Sequence, residues 1–153
     1  MNRWTKASLG VVAALCATAS AGAVAESLKL TCQLDVTRTY PSGGNDNFRE
    51  NVIVEIQQIG ATTSISGNGK DIFFGLFNRQ LSNITDVTDS SDEGKWDLSN
   101  LRHNPASGDW LYQLTIDRNA GTLNFNKTRQ DAPGTISTAY GSCKKIDMKV
   151  RKF

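Results

Sequence analysis

The residue best suited to acid–base chemistry is the one histidine of the chain, because imidazole titrates near neutral pH. His103 lies between Arg102 and the pair Asn104-Pro105, which predicts a loop. A hydrolase would need a nucleophile or a carboxylate beside this histidine, and no Gly-x-Ser-x-Gly motif accompanies it. The sequence therefore favours a surface histidine and a protein that is not an enzyme. The open alternative is a secreted hydrolytic enzyme that uses His103 or a pair of carboxylates.

Residues 66–70 (SGNGK) have the composition of a phosphate-binding loop. A Walker A motif requires a glycine five residues before Gly69 and a serine or threonine after Lys70. Ser64 and Asp71 occupy those positions, and no helical pattern follows to supply an N-terminus for the phosphate. We therefore interpret this segment as a hairpin turn.

A cluster of carboxylates follows later in the chain, and oxygen ligands of this kind bind calcium. The acidic side chains are Asp86, Asp89, Asp92 and Glu93. An EF-hand loop carries its carboxylates at every second position, whereas the three aspartates here fall at every third. We interpret the segment as a solvated acidic turn, with weak calcium binding as the alternative.

Two cysteines outside the N-terminal segment lie far apart in the sequence, and in an oxidising compartment such a pair most often forms a disulfide. We predict a bond between Cys32 and Cys143. The alternatives are two free buried thiols and a metal site. A metal site is disfavoured, because His103 is the one histidine and no Cys-x-x-Cys spacing occurs. The sequence accordingly predicts no bound metal and no cofactor.

Residues 1–25 have the layout of a secretory signal peptide. Arg3 and Lys6 give a positive start, residues 7–17 form a short apolar run, and small residues with Ala-x-Ala spacing follow. The apolar run is too short to cross a bilayer, which predicts no stable membrane anchor. Cleavage near Ala25 would leave a protein of the periplasm or the cell exterior.

The charge of the predicted mature domain, residues 26–153, argues against nucleic acid as a partner. The full sequence has 17 Lys and Arg residues against 15 Asp and Glu residues, and removing Arg3 and Lys6 leaves 15 of each. A formally neutral domain lacks the basic excess that proteins use to neutralise phosphates. We expect this single β domain to bind a small apolar ligand or a protein partner.

Alternating apolar and polar residues predict β-strands along the domain, because the side chains of a strand point alternately to its two faces. The clearest case is residues 110–117 (WLYQLTID), which precede a turn at 118–121 (RNAG) and a returning strand at 122–127. Similar patterns predict strands at 28–37, 51–59, 64–66, 96–98, 136–143 and 146–150, with a polar loop at 41–47. The continuous apolar run 72–77 (IFFGLF) predicts a further strand, covered on both faces or lining a cavity.

About eight short strands without an amphipathic helix predict an all-β fold. A disulfide between Cys32 and Cys143 would make the first strand and a late strand neighbours, and in a meander this adjacency closes a barrel. We therefore predict a small antiparallel meander that forms an up-and-down or lipocalin-like β-barrel. A two-sheet β-sandwich is the alternative.

These features predict a non-enzymatic binding or interaction protein. An open barrel would offer its interior to a small apolar ligand, whereas a filled barrel would favour a protein partner or a structural role. The aromatic residues predicted to face a ligand are Phe73, Phe74, Phe77, Trp96, Trp110 and Tyr112.

Several features together resemble small, uncharacterised secreted β-proteins of proteobacteria. These are the signal-peptide layout, Thr31-Cys32 in an early strand, the hairpin Ile116-Asp117-Arg118-x-x-Gly121-x-Leu123 and the late Gly141-Ser142-Cys143. The resemblance implies an exported β-fold with one disulfide near its ends, and it implies no activity.

The layout is also similar to that of the periplasmic C-type lysozyme inhibitors. An early and a late cysteine flank a β-meander, and Ser66-Gly67-x-Gly69-Lys70 lies in a loop. This likeness implies, as an alternative function, inhibition of a hydrolase such as lysozyme. The inhibitors are shorter, and their loop continues with tyrosine where Asp71 stands here.

Overall fold

The structure, a computed structural model, describes residues 26–78, 87–132 and 136–146. The strands are β1 (Glu26–Thr39), β2 (Asn45–Ile59), β3 (Thr62–Gly67), β4 (Val87–Asp89), β5 (Lys95–Arg102), β6 (Trp110–Asp117), β7 (Thr122–Arg129) and β8 (Ile136–Lys145), and a 3-10 turn spans Phe74–Leu76. The predicted signal peptide, Asp86 of the acidic cluster and the predicted strand beyond Ile146 lie outside the described residues.

All of these strands belong to one antiparallel sheet in the order β3-β2-β1-β8-β7-β6-β5-β4. Strands that follow each other in the sequence are neighbours, except for β3 and β4, and β8 returns to pair with β1. The sheet curls into a nearly closed barrel. The predicted all-β meander is therefore confirmed, and the alternative of a two-sheet sandwich is wrong.

The seam of the barrel lies between β3 and β4, which are the two ends of the strand order. Ile65 of β3 forms a bridge with Phe77, which follows the 3-10 turn. Farther along, the Asp89 carboxylate of β4 accepts a hydrogen bond from the backbone N–H of Thr63, 2.8 Å away. At the seam, an isolated β-bridge and a side-chain hydrogen bond thus take the place of a continuous ladder of backbone hydrogen bonds.

The apolar run 72–77 differs from the predicted strand. It contains the 3-10 turn, in which the N–H groups of Leu76 and Phe77 donate to the carbonyls of Phe73 and Phe74, 3.0 Å away. An apolar run without alternation does not distinguish a strand from a buried turn, which is why the prediction was wrong. The turn carries Phe74 and Phe77 into the core and leaves Phe73 59% exposed.

Apolar side chains fill the interior of the barrel. The fully buried ones include Leu34, Ile56, Ile65, Phe74, Phe77, Leu98, Leu114 and Phe125. Each stabilises the fold by about 1.5–3 kcal/mol relative to an exposed position. Clefts at the two ends of the barrel leave room for a ligand.

Cys32 and Cys143 lie directly opposite each other on β1 and β8 and form a disulfide, with their Cα atoms 4.0 Å apart. The predicted bond is present in the structure. The neighbouring inward positions of β8 are small, Ala139 and Gly141. A Cβ on Gly141 would collide with the backbone of Gln33, so the glycine allows β1 and β8 to lie close together.

Candidate functional site

One end of the barrel, here called the mouth, carries a cleft of about 280 Å³. At this end β1 and β7 finish, while β6 and β8 begin. The cleft is lined by Arg38, Thr39, Tyr40, Asp71, Phe73, Trp110, Lys127 and Ser137. The antiparallel meander thus brings together side chains that are far apart in the sequence.

Two of the predicted ligand-facing aromatics, Phe73 and Trp110, line this cleft. Phe73 is largely exposed, because the 3-10 turn that buries its neighbours leaves it on the outside. Trp110 is half-buried, and its indole N–H donates to the backbone oxygen of Ser107, 3.1 Å away. This hydrogen bond holds the indole ring in place beside the cleft.

The structure divides the other predicted aromatics between the core and the two ends of the barrel. Phe74 and Phe77 belong to the core, and Trp96 lies at the end opposite the mouth. Tyr112 is buried next to the mouth, where burial raises the pKa of its hydroxyl and the charge of Arg102 opposes that rise. The six predicted aromatics therefore do not line one common cavity.

Two cations continue the inward faces of β1 and β7 at the mouth. Arg38 follows the buried Val36 on β1, and Lys127 follows the buried Phe125 on β7. Residues two apart in a strand share a face, so both cations belong to the faces that form the core farther down. Arg38 forms an ion pair with Asp71, whose side chain is only 12% exposed.

Lys127 sits against aromatic rings instead of a carboxylate. Its Nζ lies 4.4 Å from the ring centroid of Trp110 and 5.6 Å from that of Tyr112, which are cation–π distances. Burial, and then the positive charge of Arg38, lower the pKa of the Lys127 ammonium. The mouth thus holds a partly buried positive charge, which the rings attract and which burial and Arg38 oppose.

His103 lies outside the cleft, on the loop between β5 and β6. Its Nδ1 contacts the carboxylate of Asp109, and its side chain is 76% exposed. Within the part of the chain that the structure describes, its ring makes no hydrogen bond to a serine or a cysteine. The pair joins the two ends of this loop, and the prediction of a surface histidine agrees with that placement.

The described part of the acidic cluster acts in local turns. Asp89 accepts from the backbone N–H groups of Thr63 and Ser91, and Asp92 accepts from those of Gly94 and Lys95. In residues 26–78, 87–132 and 136–146, no three His, Cys, Asp or Glu side chains come together as a metal site. The carboxylates of Asp89 and Asp92 therefore stabilise the backbone turns around β4 and β5.

The segment 66–70 connects β3 to the 3-10 turn and is tied to β2. The Asn68 side-chain oxygen accepts from the backbone N–H of Ile53 at 2.7 Å, and Glu50 accepts from the N–H of Lys70 at 2.6 Å. The segment does not join two paired strands, so the predicted hairpin turn is wrong. Its hydrogen bonds hold it along the edge of β2, next to the last pair that β2 makes with β3.

A second cleft, of about 300 Å³, lies at the other end of the barrel beside the disulfide. Trp96, Cys143 and Lys145 contribute to its lining. The Arg118 guanidinium lies 4.6 Å over the Trp96 ring, and the ring is only 5% exposed. The mouth offers more accessible aromatic surface, and it is the stronger candidate for a binding site.

The sequence pattern alone does not assign Arg38, Asp71 or Lys127 to a site. A signal was present for Lys127, because it continues the apolar alternation of Leu123 and Phe125 on β7. A cation in register with a core face is uncommon and marks a side chain held by specific partners. Asp71 carries no such signal, since its approach to β1 depends on the completed fold.

No family model, curated protein or solved structure matches this chain. Among the residues that the structure describes, no helix is long and apolar enough to cross a membrane. The functional interpretation therefore depends on the mouth itself.

Proposed function

We propose that this chain is a non-enzymatic binding protein of the periplasm or the cell exterior, and that its mouth receives a small ligand with an apolar or aromatic part. The observation that carries the proposal is the cleft itself, in which Phe73 and Trp110 stand above a filled core. When a ligand covers a large exposed aromatic side chain at a concave site, apolar surface is removed from water, and this favours binding.

The size of the cleft supports a compact ligand. Sites for small molecules commonly have volumes of about 300–1,000 Å³, and the mouth, with about 280 Å³, lies just below this range. Polar groups at its edge, including Tyr40 and Ser137, are suited to fixing the orientation of such a ligand. A ligand of one or two rings fits this description.

The disulfide supports the proposed location. Bonds such as Cys32–Cys143 form and persist in oxidising compartments, which include the periplasm and the cell exterior. The sequence layout of residues 1–25 is that of a cleaved signal peptide. The two observations are independent, because one concerns the folded domain and the other the N-terminal segment.

The position of His103 supports binding over catalysis. The most familiar acid–base group of the chain is largely exposed on a loop and engaged with Asp109, outside the lining of the mouth. A ligand held against Phe73 and Trp110 therefore meets aromatic and charged side chains without a histidine among them.

The test is native mass spectrometry of the protein purified from its own host. We expect the parent to retain a small molecule and a Phe73→Ala, Trp110→Ala double variant to lose it. Tyr140→Ala is the matched control, because Tyr140 is a 60% exposed aromatic on β8 that does not line the cleft. A parent that carries no added mass, or a double variant that keeps it, would contradict the proposal. A co-purified protein released by the double variant would favour a protein partner instead.

A further inference from the structure

The charges of the mouth define the kind of ligand more closely than its aromatic rings do. Arg38 and Lys127 bring two positive charges to the cleft, and Asp71 brings one negative charge. Arg38 and Asp71 form an ion pair, which leaves the charge of Lys127 without an opposite partner among the described residues of the cleft. The described lining of the cleft therefore has an excess of one positive charge.

Lys127 is not held in the way that a surface lysine usually is. Long lysine side chains normally extend their ammonium group into water. Here the ammonium lies over the rings of Trp110 and Tyr112, in the same cleft as Arg38. Within the described ranges it forms no ion pair and no hydrogen bond, so its donors are available to an incoming acceptor.

We propose that the mouth binds a small monocarboxylate, whose anionic group lies between Lys127 and Arg38 and whose apolar or aromatic body covers Phe73 and Trp110. This inference rests on the proposed function and names the class of its ligand. A carboxylate matches the single excess positive charge, whereas a phosphate group would bring up to two negative charges to a cleft that already contains Asp71.

The bound carboxylate would remove the unfavourable feature of the free mouth. A partly dehydrated ammonium that shares a cleft with a guanidinium is destabilised, since burial, and then the charge of Arg38, lower the pKa of Lys127. An anion placed between the two groups accepts charge-assisted hydrogen bonds from both. The aromatic rings exclude water from these bonds, which strengthens them.

The experiment is a titration of the folded protein with benzoate and with its neutral isostere benzamide, followed in ¹H–¹⁵N spectra. The Trp110 indole N–H is the reporter, because it lies beside the cleft and donates within the protein. We expect benzoate to shift this signal with an affinity about tenfold higher than that of benzamide. Phenylphosphonate, which has the same ring and a larger charge, is expected to bind more weakly than benzoate.

Variants of Lys127 separate the anion site from a general attraction to positive charge. Lys127→Met keeps the aliphatic length and removes the charge, so it should abolish the preference for benzoate over benzamide. Lys127→Arg should retain that preference. Lys144→Met removes an exposed charge on a different strand, β8, and should leave the preference for benzoate over benzamide unchanged. Circular dichroism of each variant checks that the barrel is intact.

The outcomes distinguish this inference from the proposed function. Equal affinities for benzoate and benzamide at the mouth would overturn the carboxylate site and leave a binding mouth in place. If neither benzoate nor benzamide shifts the Trp110 signal, the carboxylate site is overturned as well. The proposed function would then be decided by whether the protein purified from its host retains a small molecule. A preference for phenylphosphonate would overturn the choice of carboxylate over phosphate.

Discussion

The Asp89 carboxylate accepts a hydrogen bond from the backbone N–H of Thr63 across the seam between β3 and β4. Thr63 is only 1% exposed, so its N–H has no ready access to water. A buried N–H without a partner costs free energy comparable to a lost hydrogen bond. At this position, the Asp89 side chain therefore supplies the hydrogen-bond acceptor that a neighbouring strand supplies elsewhere in the barrel.

Replacing Asp89 with alanine should lower the free energy of unfolding by about 1–3 kcal/mol, because the N–H of Thr63 is then left unpaired. Asp89→Asn should cost less, since its amide oxygen still accepts. Asp92→Ala is the matched control, because Asp92 bonds backbone N–H groups in an exposed turn. Urea unfolding measures all three, and equal stabilities of the alanine and asparagine variants would contradict the role given to Asp89.

The contribution of Asp89 should also depend on pH. Burial raises the pKa of its carboxyl, but hydrogen bonds from Ser91 and Thr63 outweigh burial and bring it below the ordinary value of 3.8. A carboxyl whose pKa is lower in the folded state stabilises the fold above its unfolded pKa. That stabilisation is lost as the pH falls through the lower, folded value. We expect the stability gap between the parent and Asp89→Asn to be constant near neutral pH and to narrow below pH 3.8. A gap independent of pH would contradict this assignment.

Removing the disulfide should weaken the fold without changing its architecture. Cys32 and Cys143 are 111 residues apart in the sequence, so the bond restricts the unfolded chain strongly. A Cys32→Ser, Cys143→Ser double variant should lose about 3–5 kcal/mol of stability. Its far-UV circular dichroism at low temperature should resemble that of the parent, while its Tm falls. Detection of two free thiols in the denatured, unreduced parent would show that the bond does not form.

Gly141→Ala tests the close approach of β1 and β8. The new methyl group would collide with the backbone of Gln33, and overpacking of this kind typically costs about 1–3 kcal/mol. Gly75→Ala is a suitable control, because a Cβ at Gly75 would meet no atom within 4 Å. Thermal unfolding of the two variants should show a clear loss for the first and little change for the second. Equal Tm values would mean that the two strands separate easily at this point.

The strands that the sequence predicted best are those whose pattern is local. Strand β6 has the predicted bounds, Trp110–Asp117. In the turn that follows, the Gly121 N–H donates a hydrogen bond of 3.0 Å to the backbone oxygen of Asp117. Gly121 adopts a φ of 64°, the left-handed conformation that glycine favours at the end of such a hairpin turn. Here alternation and turn chemistry lie within a few residues of each other, so the sequence contains the whole signal.

Strand β2 begins earlier than predicted, because polar pairs extend it. It starts at Asn45, inside the segment interpreted as a loop. Asn47 accepts a hydrogen bond from Thr37, and Arg49 forms an ion pair with Asp35 across to β1. Such pairs stabilise a ladder without leaving a hydrophobic pattern.

The mouth could be predicted only in part. Phe73 and Trp110 were identified as ligand-facing aromatics from residue type and position, and both line the cleft. That Lys127 and Arg38 line the same cleft was not predictable, because β7 and β1 become near neighbours only through β8. A sequence pattern indicates the face on which a side chain lies, but not which distant strand stands beside it.

The return of β8 to β1 also determines the order in which the chain can fold. The first and last described strands meet across more than a hundred residues, and folds governed by such distant pairings form slowly, in milliseconds to seconds. β1 can pair with β2 early, because the two strands follow each other in the sequence, but its other edge must wait for β8. During that interval the edge of β1 is open to pairing with another molecule, so intermolecular pairing competes with folding at the strand where the finished barrel is cross-linked.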